Sequence, residues 1–239
     1  MSQVTDWSVE EDRIRAVYAR RDAGASVRSR HAAAGDRYAV ETRARRVVDL
    51  LARHGITRLE MQRILDVGCG AGFWLEEFVR WGADPSNLTG IDLVHDRVED
   101  ARRRAPVPVT VLAGNAASLP YPAANFDIVL QSTMFTSVLD DDLRWRIASE
   151  MVRVVRDDGL IVWYDFHVGN PWNPDVRAIT RREIRRLFPD CVVRVERITL
   201  APPLARLIAP WSVAACAVLE AVPLLCTHFL GSIRKATPA

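Results

Sequence analysis

Apolar positions recur at two different periods along this chain, and the change of period marks its organisation. Over the first 60 residues the period is helical. Ser8-Val-Glu-Glu11 has the spacing of a capping box and opens a helix to about Arg21. Residues 23–35 are small, polar and arginine-rich, a loop or a weak helix. Asp36 is placed to cap a second helix, with Val40, Ala44, Val47, Val48, Leu50 and Leu51 as its buried stripe and Gly55 as its stop. From residue 63 onward, short apolar runs alternate with amphipathic stretches. The runs at 63–67, 88–93, 109–113, 126–131, 160–166, 192–200 and 229–234 read as strands. The stretches from Phe73, over 96–104, over 141–156 and from the second capping box at Thr180 to about Phe188 read as helices. Such alternation predicts an α/β fold with a doubly wound, mostly parallel sheet that holds ligands at the carboxyl ends of its strands.

The junction after the first strand carries the most specific signal. Arg63-Ile-Leu-Asp-Val-Gly-Cys-Gly-Ala-Gly-Phe73 joins a buried strand to a helix through three alternating glycines. Glycine permits the sharp turn and the close approach of backbone to a ligand. Phe73, Trp74, Leu75, Phe78 and Val79 form the apolar face of the helix that follows. Asp92 ends the next apolar run, about 20 residues after the last glycine, where a carboxylate takes ribose hydroxyls. The spacing Asp66-x-Gly68-x-Gly70-x-Gly72 is not the G-x-G-x-x-G of dinucleotide binders.

This loop closely resembles motif I of the class I S-adenosylmethionine-dependent methyltransferases, and the resemblance runs from about Ile64 to Lys235. It implies a seven-stranded Rossmann-like sheet with strand seven antiparallel, and S-adenosyl-L-methionine as the cofactor. By the same resemblance, Asp66, Gly68, Cys69, Gly70 and Gly72 lie beside the amino-acid part of the cofactor. Asp92 and Leu93 meet the ribose side. Gly114-Asn115-Ala116 stands where the family commonly has Gly-Asp-Ala at the adenine, and Asn115 still offers a carbonyl acceptor. Gln131, at the end of the fourth strand, reaches the sulfonium and the substrate. Asp157-Asp158-Gly159 departs from the family's usual L-x-P-G-G turn. Segments 130–138, 163–166, Asn170-Pro171 and 227–235 look like a bacterial subgroup of small methyltransferases associated with glycan or secondary-metabolite pathways.

Composition narrows the partners. A hydrophobic fraction of 49% suffices for one core, and a formal net charge of +2 gives no reason to expect nucleic acid. Cys69, Cys191, Cys216 and Cys226 are far apart and form no C-x-x-C pair, which suggests reduced thiols and a cytoplasmic protein. The first residues carry no secretory apolar region. No apolar stretch reaches the length of an integral membrane segment, while peripheral membrane contact stays open.

The acceptor side is read from position. Residues 1–60 form a helical cap, residues 61–239 the methyltransferase domain, and residues 201–226 an apolar helical insert between strands six and seven. An antiparallel strand seven brings that insert to the cofactor edge, so Leu207, Ile208 and Trp211 are expected to wall the substrate. Core packing and a membrane-surface helix are the competing readings. Tyr18, Arg20, Arg21, Arg37, Tyr38 and Arg43 on the cap are candidates for an anionic substrate, against a plain solvated helix face. His167, just past strand five, is the best-placed general base, with Asp165 beside it and Gln131, Phe135 and Tyr164 to orient the acceptor. His31, His54, His95 and His228 have weaker positions. Asp165, Asn170 and Asp175 lack a ligand spacing, so no metal is expected. The acceptor is a small molecule, and the expected reaction is O-methylation of a saccharide or secondary-metabolite hydroxyl. A lipid or prenylated acceptor, and a non-catalytic cofactor-binding protein, are the alternatives.

Overall fold

A computed structural model describes residues 7–23, 30–169 and 172–236. Asn170 and Pro171, and the side chain of His31, lie outside the described residues. The chain opens with α1 (Ser8–Ala23) and α2 (Arg30–Arg53). Alternation follows: β1 (Ile64–Val67), α3 (Phe73–Arg80), β2 (Leu88–Asp92), α4 (His95–Arg104), β3 (Thr110–Ala113), β4 (Phe126–Ser132), α5 (Asp141–Val154) and β5 (Val155–Phe166). Then come α6 (Arg181–Leu187), β6 (Cys191–Leu200), α7 (Pro202–Ile208), α8 (Val213–Glu220) and β7 (Cys226–Lys235).

The seven strands form one sheet in the order β3-β2-β1-β4-β5-β7-β6. β7 is antiparallel to both β5 and β6, and the other pairs are parallel. β1 is covered on both faces, which is why it is an unbroken buried run. Strand alternation sorts its residues to two cores. Leu65, Val67, Val129, Ile161 and Trp163 pack with Ile147 and Met151 of α5. Ile64, Ile128, Leu130 and Val162 pack on the other face with Val47 and Leu51 of α2, Trp74 and Phe78 of α3, and Val98 of α4. Thus α2 shares a core with the central strands rather than sitting apart as a cap. The order of strands reverses at β1 and β4, and the open edge above that point is where such sheets bind ligands.

Several boundaries differ from the sequence expectation. α2 begins at Arg30, so Asp36 lies inside it and its carboxylate takes Arg206 at 3.1 Å instead of capping. Ser8 is the first residue of α1, and Glu11 reaches Asn115 rather than closing on the helix start alone. α5 stops at Val154 and β5 starts at Val155, so Asp157-Asp158-Gly159 is an irregularity within the strand. A Cβ on Gly159 would stand 2.9 Å from the Asp127 carbonyl, a close approach that only glycine allows. The capping box at Thr180 is present, with Thr180 and Glu183 bonded reciprocally.

Candidate functional site

The glycine loop folds as its spacing requires. Gly68, Gly70 and Gly72 all take positive φ, at 74°, 53° and 86°. That conformation costs other residues roughly 1–2 kcal/mol each. The loop is hung from the next strand, since the amides of Gly68 and Cys69 donate to the Ile91 carbonyl at 2.8 and 3.1 Å. Asp92 locks it: its carboxylate accepts from the Gly70 amide at 2.8 Å and from the Val94 amide at 2.9 Å. Burial pushes the Asp92 pKa up, while those two amides pull it down.

Beside this loop lies a cleft of about 110 Å³. Gly68, Asp92, Leu93, Asn115 and Ala116 line it, as does Tyr18 from α1. These six positions were legible in the sequence. The cleft also takes Glu11, Arg97, Thr133, Met134 and Ser137, which were not. Thr133 adopts a φ of 56°, unusual for a β-branched residue, and its amide donates to the Tyr164 carbonyl at 2.7 Å. This strained turn carries β4 into the cleft, as functional sites often do.

Helix α1 closes the cleft from above. Asn115 Nδ2 donates to Glu11 at 2.6 Å, and its Oδ1 accepts from the Ala117 amide at 2.7 Å. The Tyr18 hydroxyl lies 3.0 Å from Ser137 Oγ, and the Arg97 guanidinium stands 4.2 Å from the Tyr18 ring centre. Arg97 also pairs with Asp22, and Arg13 donates to the Ser137 carbonyl.

The lower face of the glycine loop holds an unusual pair. Asp66 is completely buried and neither carboxylate oxygen has a hydrogen-bond partner. Burial, reinforced by the Asp92 charge, pushes its pKa up to about 8, with Arg43 acting in the opposite sense. The Arg43 guanidinium is stacked among Phe73, Trp74 and Tyr164, 4.8 to 5.1 Å from their ring centres, and its Nε also lacks a partner. A carboxylate without a partner thus stands near a guanidinium whose Nε has none, and neither residue is among those lining the cleft. Cys69 keeps only backbone in the loop. Its side chain is packed into the core and burial raises the thiol pKa.

The remaining predicted residues are placed differently. Asp165 is fully occupied: it accepts from the Thr136 hydroxyl at 2.6 Å and from the amides of Thr136 and Phe166. Burial raises its pKa to about 6, and no bond joins it to His167. It holds the turn after β4 and does not serve the base. Gln131 is likewise buried, bridging the Met134 amide and the Tyr164 carbonyl, so it shapes the turn instead of facing the cleft. Phe135 packs on Trp163 in the core, with ring centres 4.6 Å apart. Tyr164 is buried with its hydroxyl 2.9 Å from Thr199 Oγ1. Tyr38 is buried too, donating to Glu220 at 2.5 Å. Neither tyrosine lines the cleft. Trp211 is exposed and also lies outside the cleft walls, because α7 and α8 pack on α2 and β6. His167 stands past β5, half-buried over the Phe229 ring, and it too lies outside the cleft walls. Its Nε2 donates to the Cys226 carbonyl at 2.9 Å, which leaves the lone pair on Nδ1. Burial, then the Arg197 charge, lowers its pKa, so the ring is neutral. Among the described residues no cluster of side chains suits a metal ion.

Residues 64–159 match the family model described as a methyltransferase domain. Over 110 residues the chain is 34% identical to a fatty-acid O-methyltransferase of Mycolicibacterium smegmatis, covering 45% of this chain and 38% of that protein. Over 115 residues it is 35% identical to a ubiquinone biosynthesis O-methyltransferase of Azorhizobium caulinodans, covering 44% of each. The chain thus spans less than half the length of the curated relatives it matches. The fold is similar to that of a SAM-dependent methyltransferase from Archaeoglobus fulgidus, with a TM-score of 0.56 and 15% identity over 81% of this chain and 94% of that one. Residues 64–159 thus match a methyltransferase domain, and in glycine-loop motif and strand order the chain resembles the class I S-adenosylmethionine-dependent methyltransferases.

Proposed function

We propose that this protein methylates an oxygen of a small molecule, a saccharide or secondary-metabolite hydroxyl, with S-adenosylmethionine as donor. The observation that carries the reading is the buried, unpartnered carboxylate of Asp66 under a glycine loop held by Asp92. Without a partner, that carboxylate is costly, and a cationic amino group is what it lacks. Arg43 is the matching receptor for a carboxylate at the same end. Asp92 serves the ribose hydroxyls, and Leu93, Asn115 and Ala116 flank the adenine.

When bound, the sulfonium supplies an activated methyl group, so the chemistry is an in-line displacement. The protein's work is alignment and exclusion of water. Helix α1 supports that role through Glu11, Arg13 and Tyr18, which tie it across the mouth of the cleft. His167 is the base of this reading: it stands outside the cleft walls, and its neutral ring, with Nε2 on the Cys226 carbonyl, keeps the Nδ1 lone pair for a proton taken from a hydroxyl brought to it. The names of the two relatives above, both O-methyltransferases, favour oxygen as the accepting atom. An apolar acceptor is the second reading, favoured by the exposed apolar insert after β6.

The test is transfer of a tritiated methyl group from S-adenosylmethionine to a panel of hydroxylated metabolites, sugars and fatty acids. Labelled product that disappears with Asp92→Ala supports the reading. A protein that binds the cofactor with ordinary affinity and labels none of these, even in extract of its own cells, would be a binding protein instead.

A further inference from the structure

Between β6 and β7, residues 202–225 contain only two charged side chains, Arg206 and Glu220. Arg206 is exposed but paired, and Glu220 is half-buried. Arg206 pairs with Asp36 of α2 at 3.1 Å, and Glu220 accepts from the Tyr38 hydroxyl and the Thr199 amide. Ser212, the one hydroxyl, caps α8 by accepting from the Ala215 amide. Apart from Arg206, whose charge Asp36 offsets, what faces outward is apolar. Trp211 and Leu224 are each 82% exposed, Val218 71% and Leu207 67%. Single exposed apolar residues need no explanation, but a run of them on one helical hairpin with only two charged side chains marks an interaction surface.

The border of this surface is cationic. The cleft between the insert and β6 is lined by Ala217, Ala221 and Pro223 on one side and by Arg45, Arg46, Arg181 and Arg197 on the other, against the carboxylates of Asp49, Glu196 and Glu220. Arg45, Arg181 and Arg197 have no carboxylate partner among the described residues. The nearby Glu196 is already held by Arg46 and Arg53. Apolar side chains bordered by arginines that no carboxylate holds match the boundary of an anionic lipid layer. A second copy of the chain fits poorly, because a two-fold contact would bring the same arginines face to face. Spanning is not at issue: no helix among the described residues is long and apolar enough to cross a membrane.

We propose that the α7–α8 insert is a membrane-docking face that seats in the surface of an anionic bilayer, with Trp211, Leu207, Val218 and Leu224 entering the acyl boundary and Arg45, Arg181 and Arg197 meeting lipid phosphates. The insert follows the carboxyl end of β6, at the sheet edge that carries the glycine loop. Docking therefore presents the cofactor edge to the lipid, from which an apolar acceptor would be taken.

The experiment is flotation of the purified protein with phosphatidylcholine vesicles, with and without phosphatidylglycerol. It uses neither cofactor nor acceptor, so its failure is distinct from a failure of methyl transfer. The protein should float with the anionic vesicles and be released as salt rises. Trp211→Ser combined with Leu224→Ser should lower partitioning at least about tenfold. Arg197→Gln should lower it about fivefold and flatten the salt dependence. Trp211 and Leu224 are exposed and Arg197 is half-buried, and an unshifted thermal melt verifies the fold. No flotation with anionic vesicles would overturn the proposal, as would equal flotation of the double variant. A concentration-dependent dimer lost in that variant, without lipid binding, would assign the face to a second copy and overturn it too.

Discussion

Replacing Asp66 by Asn separates the demands of folding from those of binding. Asp66 has no hydrogen-bond partner among the described residues, and its pKa rises from the ordinary 3.8 to about 8. The sign follows from the raised folded-state value. Its contribution to stability is fully present below the unfolded pKa of 3.8 and is lost progressively as pH rises through about 8. At pH 7 the accumulated loss is at most about 4 kcal/mol. An amide cannot ionise but still gives up water, so Asp66→Asn should gain about 1–3 kcal/mol at pH 7. That gain should shrink toward zero near pH 4. Cofactor binding should move the other way. An ammonium group wants the ionised carboxylate, so wild-type affinity for S-adenosylhomocysteine should tighten as pH rises from 6 to 8. The variant should bind about 10–100-fold more weakly and lose that pH dependence. Urea melts and calorimetric titrations across pH 5 to 8.5 read both effects. A variant less stable than wild type by the same margin at every pH would refute the reasoning, because Asp66 would then be ionised and satisfied within the fold.

Gly68→Ala forces a side chain onto a φ of 74° and places its Cβ 2.9 Å from Met134, so it should cost about 1–3 kcal/mol of stability and weaken cofactor binding, both read by melts and titration. Trp163 is fully buried against Phe135 and Phe188, and Trp163→Ala should cost about 3–5 kcal/mol in a denaturant melt without touching the cleft. His167→Ala should lower kcat by about 10²–10⁴-fold with the cofactor Kd unchanged, and full activity would remove the base from the mechanism.

The sequence yielded the sheet and the half of the site that rests on backbone. Alternating apolar runs and the glycine spacing report local geometry, so β1, its loop and Asp92 were legible from neighbouring residues alone. The acceptor half was not, because it depends on which way side chains turn after the strands end. Gln131 and Asp165 read as catalytic from their places at the ends of β4 and β5, yet both serve the backbone of the turn at 133–136. Thr133 gave no warning, since nothing in a β-branched residue announces a positive φ. Glu11 and Arg97 were missed because the packing of α1 over the cleft is a long-range contact. Trp211 was expected at the substrate wall from topology. Topology does set its edge of the sheet, but not that α7 would pack against α2, where a Cβ on Gly35 would stand 2.6 Å from the Arg206 backbone.

The most direct test of the central claim is a calorimetric titration of S-adenosylhomocysteine and, separately, NAD into the wild-type protein and into Gly70→Val. Gly70 sits at a φ of 53° with its amide on Asp92, so a branched side chain there both strains the loop and fills the space beside it. The predicted result is one saturable site for S-adenosylhomocysteine on the wild type, none on Gly70→Val, and no heat with NAD on either. Binding of NAD without binding of S-adenosylhomocysteine would contradict the account.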